Sequence, residues 1–116
     1  MQTNKLKVRS KLWIQDDEGS FLGEGRIRIL KAIAEYGSIS KAANSMNMSY
    51  QKAWKMVQSM NNASGKDFVL RSSGGKGGGG TVLTTEGEKA IALYEKLNVS
   101  CQAFLDQEFE KIKKEF

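Results

Sequence analysis

From Thr85 to Phe116, apolar residues recur three and four positions apart, at Ile91, Tyr94, Leu97, Cys101, Phe104, Leu105, Phe109 and Ile112. That spacing is one face of a helix. Thr85-Glu86-Gly87-Glu88 reads as a capping box that opens it, with a hydroxyl and a carboxylate three residues apart. A helix from 85 to 116 spans about 48 Å at 1.5 Å per residue. A chain of 116 residues has material for one domain and one core, and that core is too short to cover such a helix along its length. The excess stripe needs a partner, and a second copy of the same helix is the simplest one.

Upstream the helical period returns in three shorter pieces. Residues 24–36 place Ile29, Leu30, Ile33 and Ala34 on one face, with Arg26, Lys31 and Glu35 outside, and Gly37 is a stop residue. Ser38-Ile39-Ser40 opens a short second helix with Ala42, Ala43 and Met46 inside, and Ser40 is its expected N-cap. Asn47-Met48 reads as a tight turn, and Ser49 as the cap of a third helix running to about residue 63. Tyr50, Ala53, Trp54, Val57 and Met60 form its expected inner face. Gln51, Lys52, Lys55, Ser59 and Asn62 form an outer face with positive charge, amides and no acid.

Two β regions flank these helices. Residues 5–15 alternate, with Leu6, Val8, Leu12 and Ile14 against Lys5, Lys7, Arg9 and Lys11, which predicts a half-buried strand. Asp16-Asp17-Glu18-Gly19 is turn chemistry, and Ser20-Phe21-Leu22 a short return. After Gly65, Phe68–Arg71 and Thr81–Thr84 predict a hairpin whose tip is the glycine-rich stretch around Lys76 and Gly77. Gly75–Gly80 formally contains G-x-G-x-x-G, but a dinucleotide site needs that motif between a strand and a helix. Here it joins two strands. A wing tip fits better: glycines let backbone approach phosphates, with Arg71 and Lys76 supplying charge. A plain flexible loop is the other reading.

Charge separates along the chain. Residues 21–82 carry nine basic and three acidic side chains, whereas residues 83–116 carry five and seven. The middle segment therefore suits a polyanion. With no histidine, His-based triads, zinc sites and phosphotransfer are excluded. No catalytic constellation is visible, and no cofactor or metal site is expected. The lone Cys101 lies in the apolar stripe and is read as packing. No apolar run reaches the roughly 18–20 residues of a bilayer span, and no signal-peptide h-region follows Met1. A cytoplasmic protein without membrane contact is expected.

The order of elements, with two helices around a tight turn followed by a hairpin, predicts a mainly α fold with a small antiparallel β component. This is a winged helix-turn-helix with a long C-terminal dimerisation helix. Residues 1–84 are expected to form the DNA-binding part with its N-terminal strand. Residues 85–116 form the helix, within the same domain. The third helix would enter the major groove of double-stranded DNA. Gln51, Lys52, Lys55 and Ser59 would meet base edges and phosphates. Ser38, Lys41, Ser49, Tyr50, Arg71, Lys76 and Gly77 would meet the backbone. Lys52 and Lys55 are also consistent with a merely solvated helix face. A homodimer on a pseudo-palindromic operator follows. A protein-interaction module, whose long helix pairs with a separate sensor, is the alternative.

Gly37-Ser38-Ile39-Ser40-Lys41-Ala42-Ala43, Ser49-Tyr50-Gln51-Lys52-Ala53-Trp54, Met60-Asn61, the run Gly74–Gly80 and Leu83-Thr84-x-x-Gly87 together resemble the N-terminal domain of ModE-type molybdate-dependent regulators. The resemblance covers about residues 24–97. It implies a winged helix-turn-helix dimer on operator DNA, read by the helix that starts at Ser49. Full-length members carry C-terminal molybdate-binding domains. These 116 residues hold no counterpart, so molybdate binding by them is not expected. Leu70 stands where the family usually has an acid.

Overall fold

The computed structural model describes residues 5–71 and 80–116. At its centre is α1 (Glu24–Tyr36), which touches every other helix and strands β2 and β4. Ile29, Leu30 and Ile33 are fully enclosed, and Ile27 nearly so. Each such side chain contributes about 1.5–3 kcal/mol by leaving water. Ala34, expected inside, is exposed, because the buried face is centred one step toward Ile27. Gly37 ends the helix at φ 65°, where a side chain would be strained, and its N–H donates to the Ile33 carbonyl.

Two short helices follow. In α2 (Ile39–Ser45), Ile39, Ala42 and Ala43 are buried. Its cap is Ser38, not Ser40: the Ser38 Oγ accepts from the Lys41 N–H at 3.1 Å. The helix thus begins before Ser40, which falls in its first turn. Asn47 takes φ 54° in the link to α3 (Tyr50–Ser64), a conformation Asn tolerates better than most residues. Ser49 caps α3 as expected, accepting from the Lys52 N–H at 3.1 Å. Ala53, Val57 and Met60 are buried, Trp54 is half-buried, and Tyr50 is exposed rather than core.

The wing strands β3 (Val69–Arg71) and β4 (Thr81–Leu83) pair antiparallel. They follow the helix-turn-helix directly, which makes the fold a winged helix-turn-helix. Next comes α4 (Thr85–Ile112), finishing in a 3-10 turn at Lys113–Glu115. Its cap is Thr84, one residue ahead of the expected Thr85. The Thr84 Oγ1 accepts from the Gly87 N–H at 3.0 Å and donates to the Asp67 carbonyl at 2.6 Å. One hydroxyl therefore starts the helix and ties it to the strand β3 approach. Gly87 has to be glycine: a Cβ there would lie 2.5 Å from the Phe68 carbonyl oxygen and 2.6 Å from a Leu83 methyl.

The N-terminal alternation yields less strand than expected. Only β1 (Trp13–Asp16) pairs, with β2 (Gly19–Gly23). Residues 6–12 find no strand partner among the described residues. They lie along α4, whose Tyr94 hydroxyl donates to the Leu12 carbonyl (2.6 Å) and whose Gln102 amide donates to the Val8 carbonyl (2.9 Å). This divides the long stripe of α4. Tyr94 is buried in the chain's own core and Ile91 packs against it. Cys101, Leu105 and Phe109 are half-buried, and Phe109 shares a cleft with Leu6 and Val8. Leu97, Phe104 and Ile112 remain exposed. Tyr94 therefore belongs to the seat of the helix and not to a surface that a second chain could meet.

Candidate nucleic-acid interface

The exposed side of α3 is built by the same periodicity that buries Ala53, Val57 and Met60. Gln51, Lys52 and Lys55 project from it, all exposed. Among the described residues neither lysine forms an ion pair, nor does Lys41 on α2 or Arg71 on β3. Among the described residues these cations have no carboxylate counter-ion that an incoming phosphate would have to displace. The first turn of α3 has no acid, and its N–H groups carry the positive end of the helix dipole.

Arg71 joins the wing to α3. Its Nη2 donates to the Tyr50 hydroxyl at 2.5 Å, and its Cζ lies 4.6 Å from the Trp54 ring centroid. Stacking on one aromatic and bonding to another fix the guanidinium in direction, and among the described residues its other N–H donors find no further partner. Arg71 and Tyr50 line a cleft of about 360 Å³ together with Ser38, Ser40 and Thr81. Thr81 Oγ1 is a buried hydroxyl with no partner among the described residues. Sequence reasoning placed Ser38, Tyr50 and Arg71 at the interface but gave Trp54, Ser40 and Thr81 only structural places, as core residue, helix cap and wing strand. Trp54 carries the right spacing for a core residue, and nothing local shows that half of its ring stays open to a cation.

Ser59 does not join this group. Its hydroxyl lies 3.0 Å from the Nη1 of Arg26, which also donates to the Ser20 carbonyl at 2.7 Å. Arg26, expected outside α1, is half-buried and braces α3 against β2. Burial lowers its pKa from the ordinary arginine value. Lys76 and Gly77 lie outside the described residues.

Comparison with known proteins agrees with this geometry. The family described as bacterial regulatory helix-turn-helix protein, lysR family, matches residues 25–88. The molybdenum transport protein ModE of Azotobacter vinelandii is 38% identical over 103 residues, covering 89% of this chain and 38% of that protein. The DNA-binding transcriptional dual regulator ModE of Escherichia coli K12 is 44% identical over 92 residues, or 79% of this chain and 32% of that protein. The chain thus spans about a third of the length of these relatives. Among solved structures, ArgP from Mycobacterium tuberculosis superposes with a TM-score of 0.52 at 19% identity, over 73% of this chain and 30% of that one. At that identity it shares the fold alone.

Proposed function

This chain belongs to the lysR family of bacterial regulatory helix-turn-helix proteins, and from that premise we propose that it is a homodimeric, sequence-specific operator-binding regulator read through α3. The observation that carries this reading is the outer face of α3, where Gln51, Lys52 and Lys55 stand exposed without an ion pair beside the aromatic-held Arg71. Gln51 suits an adenine edge, and Lys55 suits guanine or a phosphate. Ser38, Lys41, Ser49, Tyr50 and Arg71, together with Lys76 and Gly77, serve the sugar-phosphate backbone.

Residues 1–84 act as the reader and residues 85–116 as the dimerisation helix of one domain. Two reading helices then face major grooves about 34 Å apart, or a multiple of that, on a pseudo-palindromic site. The protein works in the cytoplasm, and the chemistry is binding rather than catalysis. The relatives' names tie them to molybdenum, including the molybdenum-pterin-binding protein MopB of Rhodobacter capsulatus, 44% identical over 93 residues. We extend to this chain the regulation of molybdenum-related genes, and assign no molybdate site to these residues.

Selecting duplexes from a random pool with the whole chain tests the proposal. A two-fold symmetric consensus is expected, and Gln51→Ala or Lys55→Ala should relax it at defined positions. Recovery of unselected duplexes, with both variants indistinguishable from the parent, would overturn sequence-specific reading.

A further inference from the structure

We propose that the turn of the N-terminal hairpin is a specificity-determining fence, whose carboxylates keep duplex backbone off the second half of α3 and confine the DNA track to its first half. This inference rests on the DNA-binding reading above and concerns what that face rejects.

The turn between β1 and β2 lies beside the reading helix. Asp16, Glu18 and Ser20 of the hairpin share a cleft of about 480 Å³ with Lys55, Gln58 and Asn62 of α3. Arg26 holds the two sides together: its Nη1 donates to the Ser20 carbonyl at 2.7 Å and lies 3.0 Å from the Ser59 hydroxyl oxygen. The turn is therefore tied to the helix and does not swing free of it. Turn formation explains only part of its sequence. The Asp16 Oδ1 accepts the Glu18 N–H at 2.9 Å, and Gly19 takes φ 135°, which a side chain would resist. The side chains of Asp17 and Glu18 have no such task. All three carboxylates are exposed, and among the described residues none forms an ion pair, not even with Lys55 across the cleft.

The helix itself changes character along its length. Its first turn has no acid and carries the positive end of the dipole, whereas its last turn has no base and carries the negative end. Lys52 and Lys55 fall in the first half, and no residue from Met56 to Ser64 is charged. The basic part of the face thus ends where the acidic turn begins. A phosphate over Gln58 or Asn62 would meet unneutralised carboxylates and find no cation beyond Lys55. Such repulsion discriminates because it acts on wrong dockings. A duplex seated with base contacts at Gln51 and Lys55 keeps its backbone clear of the turn. A duplex held by charge alone samples tilted and shifted dockings, and those that carry backbone across the second half of α3 are excluded. The fence therefore weakens binding to unrelated sequences more than binding to the operator.

The test uses the whole chain, with an operator duplex obtained by selection and a scrambled duplex of equal length at about 50 mM salt. Asp16→Asn combined with Glu18→Gln removes two charges and leaves an amide oxygen to accept the turn N–H. This variant should bind the scrambled duplex about three- to tenfold more tightly, the scale of two charges removed near a phosphate in a largely aqueous setting, and the operator no more than about twofold more tightly. Its urea midpoint should match the parent's, because both side chains are exposed. Glu18→Lys should add one phosphate contact per chain. It should steepen the salt dependence by about 0.9 per chain and extend hydroxyl-radical protection into the backbone flanking the operator. Unchanged or weaker binding of the scrambled duplex by the double variant, or a Glu18→Lys footprint identical to the parent's, overturns the fence and leaves operator binding standing. Equal tightening on both duplexes overturns its role in specificity. A parent that selects no operator, or binds no duplex even at low salt, overturns the DNA-binding reading itself and the fence with it.

Discussion

The two long helices of this chain, α3 and α4, both seat one face in the core and leave one face to solvent, but the free faces are opposite in kind. That of α3 is short, capped by Ser49, basic and amide-bearing, without an acid. That of α4 carries exposed Leu93, Leu97 and Phe104 with charges of both signs around them. A surface of unpaired cations gains most from a polyanion and is screened by salt. A surface of unpaired apolar groups gains from burial and is almost indifferent to salt. The contrast teaches that two amphipathic helices of one chain can suit opposite kinds of partner, and that the solvent side, not the core side, makes the difference.

Salt offers the largest separation of the two faces. Lys41, Lys52 and Arg71 from each of two chains supply six of the phosphate contacts in the proposed complex, before Lys76 is counted. Raising salt from about 50 to about 200 mM should then cost duplex affinity roughly 1,000-fold. The dimerisation constant should change several-fold at most over the same range. Anisotropy titrations beside sedimentation at matched salt check this. A dimer that dissociates in parallel with the DNA complex would break the comparison.

Gly87→Ala should come next, because this residue joins the two regions. Alanine is about 1 kcal/mol better than glycine inside a helix. That gain is small against a Cβ placed 2.5 Å from the Phe68 carbonyl oxygen. The Leu83 side chain can move aside, but the carbonyl cannot, since it also accepts the Thr84 N–H at 2.9 Å. A net loss of about 2–3 kcal/mol is expected, on the scale of an overpacked core, read as a lowered urea midpoint. Both DNA binding and pairing should fall together. A variant as stable as the parent would show that wing and α4 are not rigidly coupled at this point.

Most of the reading half was legible in the sequence, and the reason is local. Gly37, Ser49 and the alanines of α2 act through their own turns and caps, which a short window displays. The N-terminal alternation was misleading for a non-local reason. Leu6, Val8 and Leu12 carry strand periodicity, yet their segment is satisfied by side chains of α4, 82 and 94 positions away. The same contacts hid Tyr94 and narrowed the dimer stripe, which from spacing alone looked continuous. Arg26 and Trp54 were invisible as interface supports because their partners, Ser59 and Arg71, are brought in by the fold.

A smaller effect sharpens the wing side. Tyr50→Phe removes the acceptor that directs Arg71 while keeping the ring. The expected loss is about 1–2 kcal/mol of duplex affinity, the worth of a hydrogen bond to a charged group, with dimerisation unchanged. An equal loss in an Arg71→Met background would show that Tyr50 acts on DNA by itself rather than through Arg71.

The smallest effect lies on the α4 side and depends on pH. The Tyr94 hydroxyl is held neutral by burial and, secondarily, by the nearby charge of Glu24, which raise its pKa above the ordinary 10.0. The folded chain thus retains this proton more tightly than the unfolded chain does. Its contribution is fully present below pH 10 and is lost as pH rises through the folded-state value. Ionisation would also remove the donor to the Leu12 carbonyl and release the N-terminal segment from α4. Tyr94→Phe should cost about 1 kcal/mol at neutral pH and flatten the alkaline loss of stability, followed by urea unfolding between pH 7 and 11. Duplex affinity at neutral pH should stay within twofold, because Tyr94 serves only the seat of α4. If the alkaline transition persists unchanged in the variant, the N-terminal segment is held by its apolar contacts and not by this hydroxyl.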